Sequence, residues 1–152
     1  MMKRLAAVLA AAVVGVSVWA GLVSASGGTP AAGQRFLSKT RSSHFVDNPP
    51  KDLSAGDILT QHSVWYRNGT KAGSMALVAT VTRSSGEILY TAVTKLDDGQ
   101  IALAGKLVIA PQNQTFKAAI TGGTQAYRTA RGYALFEQKS ANTTAVTLYV
   151  QP

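Results

Sequence analysis

Acid–base, nucleophilic and metal chemistry each need particular side chains, and this 152-residue chain supplies few of them: no cysteine, two histidines and seven acidic residues. Without cysteine there is no thiol nucleophile, no disulfide and no thiolate-ligated metal. His44 and His62 lack a third ligand at metal spacing, so both read as surface or edge-strand residues. Glu87 is the one candidate acid, because burial inside a fold would raise its pKa towards that of a general acid. Its place just after Ser85-Gly86 equally fits an exposed hairpin end. Gln61 and Ser63 alternate with Leu59 and Trp65, so one face of an extended segment would carry two neutral hydrogen-bonding groups between two large apolar ones. The opposite face would carry Ile58, Thr60, His62, Val64 and Tyr66. No cofactor or metal signature accompanies these residues.

The segments that hold them are short and rich in Val, Ile, Thr, Tyr and Leu, with turn residues between them and no sustained helical spacing. Strands are expected at 35–44, 57–67, 71–83, 87–95, 100–109, 115–121, 131–138 and 143–150. Asn68-Gly69, Ser85-Gly86 and Asp98-Gly99 are hairpin signals because these residues tolerate positive φ, and Pro111-Gln112-Asn113 also turns the chain. Eight strands joined by tight turns either close into an antiparallel barrel, which removes sticky edges, or form a two-sheet sandwich. A barrel of this size is just wide enough to be filled by side chains or to hold one small ligand.

The N-terminal stretch has a different character. Met1-Met2-Lys3-Arg4 precedes an apolar run from Leu5 to Val23, and Val23-Ser24-Ala25 offers small residues for a signal peptidase. Residues 1–25 are therefore expected to be a signal peptide cut after Ala25. The run is rich in Ala rather than Leu, which argues against a retained membrane anchor. Residues 26–33 follow as a flexible Gly/Ser/Thr/Pro/Ala leader, and residues 34–152 as a single domain. Cleavage takes the charges of Lys3 and Arg4 from a formal net charge of +8, leaving an exported, mildly basic protein. Its basic residues are scattered singly without interleaved stacking aromatics, so a nucleic-acid partner is not expected.

Four segments carry a family resemblance. Gly122-Gly123-Thr124-Gln125-Ala126-Tyr127-Arg128-Thr129-Ala130-Arg131-Gly132 resembles the glycine- and arginine-bearing signature of dirigent proteins, with Gln125 in place of a glycine and Tyr127 in place of a phenylalanine. Phe116-Lys117-Ala118-Ala119-Ile120-Thr121 and Asp98-Gly99-Gln100-Ile101-Ala102-Leu103-Ala104-Gly105 are similar to segments of plant allene oxide cyclases, and Ser54-Ala55-Gly56-Asp57 fits those cyclases and their bacterial barrel relatives. The resemblance to the allene oxide cyclase and dirigent families implies an all-β, eight-stranded antiparallel, lipocalin-like barrel with an apolar cavity, assembled as a homo-oligomer, trimer or dimer. It also implies that Leu59, Gln61, Ser63 and Trp65 face the cavity, joined by Met75, Leu77 and Ala79. In the signature itself, Gly122 and Gly123 would turn with φ values that side chains forbid, and Gly132 would let a strand begin close to a neighbour. Arg128 and Arg131 would brace the turn on backbone carbonyls or on a carboxylate such as Asp57.

The catalytic sets of both families are largely missing. No acidic residue precedes Asp47, where the cyclases place one on the first strand; their second-strand asparagine aligns with Ser63 and their later tyrosine with Leu107. The adjacent aspartates of dirigent proteins fall near Ser63 and Val64. The function expected is a secreted barrel that binds a small apolar ligand, acting as an isomerase or cyclase with Ser63, Gln61 and Glu87 as its polar groups, or else a non-catalytic carrier or interaction barrel.

Overall fold

The computed structural model describes residues 33–109 and 114–151. Eight strands run in chain order: β1 Gln34–Val46, β2 Ile58–Arg67, β3 Thr70–Arg83, β4 Glu87–Leu96, β5 Gly99–Val108, β6 Thr115–Gly123, β7 Arg131–Ser140 and β8 Thr143–Gln151. Each is antiparallel to the next, and β1 also pairs with β8 from Gln34↔Leu148 to Lys39↔Thr143, so the sheet closes into a barrel and the sandwich is excluded. The expected signal peptide, most of the leader and the Pro111-Gln112-Asn113 turn lie outside the described residues.

Alternation positions the interior. On β4, Ile88, Tyr90, Ala92, Thr94 and Leu96 point inward and are all at most 5% exposed, while Leu89 and Val93 between them are 52% and 45% exposed. Register is pinned by the turns. Asn68 (φ 50°) and Gly69 (φ 81°) occupy the left-handed region that a two-residue hairpin with the native twist requires. Irregularities such as the one between Thr40 and Ser42 then adjust individual strands.

The two ends of the barrel differ. One is plugged: Trp65 packs against Phe36 (5.2 Å between ring centroids) and Phe136 (6.4 Å), with Leu96, Ile101, Ile120 and Leu148 buried as well. The signature segment covers this end. After Gly123 the chain makes a single 3₁₀ turn, Gln125–Tyr127, and buries Tyr127, whose hydroxyl donates to Asp98 Oδ1 at 2.7 Å. At the other end the β1–β2 connection folds around Asp57, which is fully buried. Asp57 accepts hydrogen bonds from the backbone N–H of Asn48 (2.9 Å) and Ser54 (2.8 Å) and from the Ser54 hydroxyl (3.3 Å).

Two expectations about the signature hold only in part. Asp57 is served by its own loop, at the end opposite Arg128 and Arg131. Arg131 reaches only the carbonyl of Ala130, at 2.9 Å, and Arg128 is exposed. The two glycines also act differently from each other. Gly122 has φ +152° and open space around it, whereas Gly123 is needed for close approach: a Cβ there would meet Gln100 O and lie 2.6 Å from both Tyr127 Cβ and Tyr127 O. Gly132 combines both constraints, with φ +117° and Tyr149 O in the way of a Cβ.

Gly123→Val is therefore expected to lower stability by about 1–3 kcal/mol through overpacking against Tyr127, read by urea unfolding. Affinity for a ligand at the opposite end should stay unchanged. A variant as stable as the parent would remove the plug role assigned to this segment.

Candidate functional site

Above the plug, the interior opens into a cavity of about 60 Å³. Its apolar wall comes from consecutive inward positions: Met75, Leu77 and Ala79 on β3, Ile88, Tyr90 and Ala92 on β4, then Leu107, Ile109, Phe116 and Phe136. The polar side is Ser38, Gln61, Gln114, Gln138 and Thr144. Small residues make the room. Tyr90 lies across Gly105, where any Cβ would collide with its ring and hydroxyl, and Ala79 and Ala92 are the small members of the same wall. Phe116 and Phe136 stack in parallel (4.9 Å, 8°), and Tyr90 meets Phe116 edge-on (5.8 Å, 80°), which gives a flat aromatic shelf.

The polar groups are neutral and partly held. Gln61 donates from Nε2 to Thr40 Oγ1 (3.2 Å), Gln138 to Ser140 O (3.3 Å) and Gln114 to Val108 O (2.5 Å). Each amide is thereby oriented while keeping its second N–H and its carbonyl oxygen for a ligand. Tyr90 donates to Lys117 O at 3.1 Å, and burial pushes its pKa up to about 12, so it stays neutral at physiological pH. Among the described residues, no lining side chain is charged. The site can bind, orient and donate hydrogen bonds, but it holds no group poised to move a proton at neutral pH.

The residues singled out from sequence divide between this cavity and its surroundings. Gln61, Met75, Leu77 and Ala79 line it. Leu59, Ser63 and Trp65 also point inward and are buried to 3%, 0% and 0%, but they belong to the packed interior rather than the wall. For Ser63 and Trp65 the reason is bulk, since Trp65, Phe36 and Phe136 crowd the lower half of the barrel; Leu59 lies beyond Gln61 at the opposite end, paired with Phe45 and Ala79.

Glu87 lies outside the cavity. It pairs with Lys106 (2.9 Å) and more loosely with Arg83 (3.9 Å), and the Lys106 hydrogen bond, helped by one from Thr82, holds its pKa below the usual carboxylate value. It is therefore no general acid. His44 and His62 are exposed, and no cluster of three metal-ligating side chains occurs among the described residues. Sequence reasoning missed Tyr90 and the Phe116–Phe136 shelf, although the alternation along β4 and β7 was a usable signal. For Gln114 no signal existed, because it stands beside a turn.

No protein-family model matches the chain, and no curated protein matches it by sequence. Solved structures do resemble it in fold. A pyocyanin demethylase superposes with a TM-score of 0.68 at 16% identity, covering 79% of this chain and 100% of the other. An exo-specific intermolecular Diels-Alderase gives 0.61 at 12% identity, over 78% and 98% of the two chains. The Diels-Alderase from Streptomyces koyangensis gives 0.57 at 18% identity, over 75% and 61%. This chain thus shares the small eight-stranded barrel fold of proteins described as acting on small molecules.

Proposed function

We propose that this protein is an exported barrel that takes one neutral, largely apolar small molecule into its cavity and promotes a cyclisation there by orientation rather than proton transfer. The observation that carries this reading is the uncharged wall, an aromatic shelf with oriented amides around it. A buried carboxylate or ammonium would find no counter-ion in it, whereas burial of apolar ligand surface is favourable. Cyclisations that make carbon–carbon bonds without a proton shuttle need only a ligand held in a reactive conformation, and restricting its freedom lowers the barrier. The fold shared with Diels-Alderases supports this reading, as does the family resemblance of the signature segment. The allene oxide reaction itself is not part of the proposal, since its acidic residue has no counterpart here. A second reading, the non-catalytic carrier, uses the same cavity and differs only in the absence of product.

At its present volume the cavity is far below the ~300–1,000 Å³ of pockets that hold drug-sized ligands. Ligand entry therefore requires side chains to move. An assembly of two or three copies is also part of the proposal: Val78, Leu89, Val93 and Val108, between 45% and 52% exposed, share the outward face of β3, β4 and β5, an apolar surface suited to a second copy.

Calorimetry should show N-phenyl-1-naphthylamine binding one per chain, with dodecanoate at least about tenfold weaker because its charge would be buried unpaired. Leu77→Trp, which fills the cavity, should abolish uptake while the β-rich circular dichroism spectrum is kept. Equal binding of both probes, or uptake unaffected by Leu77→Trp, removes the cavity from the account. Product formed from a linear triene tethered to an electron-poor alkene would separate cyclase from carrier; binding without conversion leaves the carrier. Intact mass of exported protein should begin at Ser26, and a mass retaining residues 1–25 would refute processing. Light scattering should report a dimer or trimer that Leu89→Asp dissociates; a monomeric parent would refute the assembly.

A further inference from the structure

Three polar atoms in the barrel interior have no hydrogen-bond partner among the described residues: Ser63 Oγ, Thr94 Oγ1 and Trp65 Nε1. All three residues are 0% exposed. An unpaired buried donor destabilises a fold, and native interiors avoid it, so three in one neighbourhood call for an explanation. Their placement supplies one. Ser63 pairs with Met75 on β3, and Met75 pairs with Thr94 on β4. Directly opposed residues have Cβ atoms about 4.5–5.5 Å apart, so Met75 stands between the two hydroxyls on a single inward layer. Trp65 is one inward step below Ser63. Met75 itself lines the cavity, as do Gln61 and Ala92, the inward residues immediately above Ser63 and Thr94. The unpaired groups therefore form the layer that floors the cavity.

We propose that Ser63, Thr94 and Trp65 are a donor floor that receives the oxygen of a neutral carbonyl-bearing ligand, with the Met75 side chain moving aside to admit it. This deepens the cavity reading above and rests on it. The chemistry of the donors selects the ligand class. The indole N–H can only donate and each hydroxyl can donate, so whichever of the three a ligand atom reaches, that atom must be an acceptor such as oxygen. Among the described lining residues there is no cation to balance a carboxylate, so the acceptor is a ketone, quinone or ester oxygen rather than an acid. Methionine is the residue suited to the partition, because its unbranched, rotatable thioether repacks readily. Its displacement would join the floor to a cavity that is otherwise small for an organic ligand.

The test is a pair of shape-matched probes, 2-acetylnaphthalene and 2-isopropenylnaphthalene, which differ in a carbonyl against a methylene. Titrated calorimetrically into the full protein, the ketone should bind about tenfold more tightly than the alkene. In Ser63→Ala/Thr94→Val, which keeps only the Trp65 N–H of the three donors, that preference should fall to about threefold or less with the alkene affinity unchanged. The unliganded double variant should melt no lower than the parent, because it loses hydroxyls that had no partner. Should the double variant not fold, Ser63→Ala alone is expected to lose part of the preference. Equal affinities for the two probes in the parent overturn the donor floor and leave the cavity reading intact. A ketone preference undiminished in the variants, or a marked loss of stability on removing the hydroxyls, overturns it too, the latter by assigning them to a structural water. Binding of neither probe overturns the cavity reading and the donor floor together.

Discussion

The pairing of β1 with β8 is the constraint from which the rest follows. Eight strands in an open sheet would leave two edges to recruit other chains; closing Gln34–Lys39 onto Thr143–Leu148 removes both and encloses a fixed interior. Within that interior every inward side chain either fills space or leaves it. Aromatic bulk from Phe36, Trp65 and Phe136 fills one half, and the turn that buries Tyr127 seals it. At the other half Ala79, Ala92 and Gly105 are too small to fill the space, and Tyr90 lies flat over Gly105 instead of projecting across the barrel. The cavity is the remainder of this division.

Charge is distributed as burial dictates. Asp57 is the acidic side chain buried completely, and its two oxygens accept three hydrogen bonds from its own loop with no partner cation. Glu87, at the barrel rim, is held by Lys106 and Arg83 on the outside. Basic side chains on the surface rest on aromatic rings, Arg67 over Phe36 and Lys117 over Tyr133. Among the described residues the cavity wall is thus left with amides, hydroxyls, rings and aliphatic groups, and no charged side chain.

Much of the fold was legible because strands and turns are local. Period-two alternation with dipeptides such as Asn68-Gly69 placed all eight strands to within a few residues, and the signature segment pointed to closure rather than a sandwich. The site was legible only in part. Alternation divided β2 into two faces and the family resemblance picked the one that is inward, with Met75, Leu77 and Ala79 on β3, yet inward is not the same as cavity-lining. Whether Ser63 or Gln61 meets open space depends on what crosses the barrel from Phe36 and Phe136, which are distant in sequence. Gly123 shows the same limit. Its glycine was evident, but the reason, contact with Gln100 and Tyr127 rather than a positive φ, exists only once the 3₁₀ turn has folded back.

Nitrogen-15 amide spectra of the protein recorded during titration with a neutral aromatic ketone test the central claim most directly, because they report where a ligand sits. The account predicts saturable shifts confined to Gln61, Met75, Leu77, Tyr90, Phe136 and Gln138 around the cavity, extending to Ser63 and Thr94 beneath it. Shifts limited to the outward face carrying Val78, Leu89 and Val93, with the interior unperturbed, would contradict it.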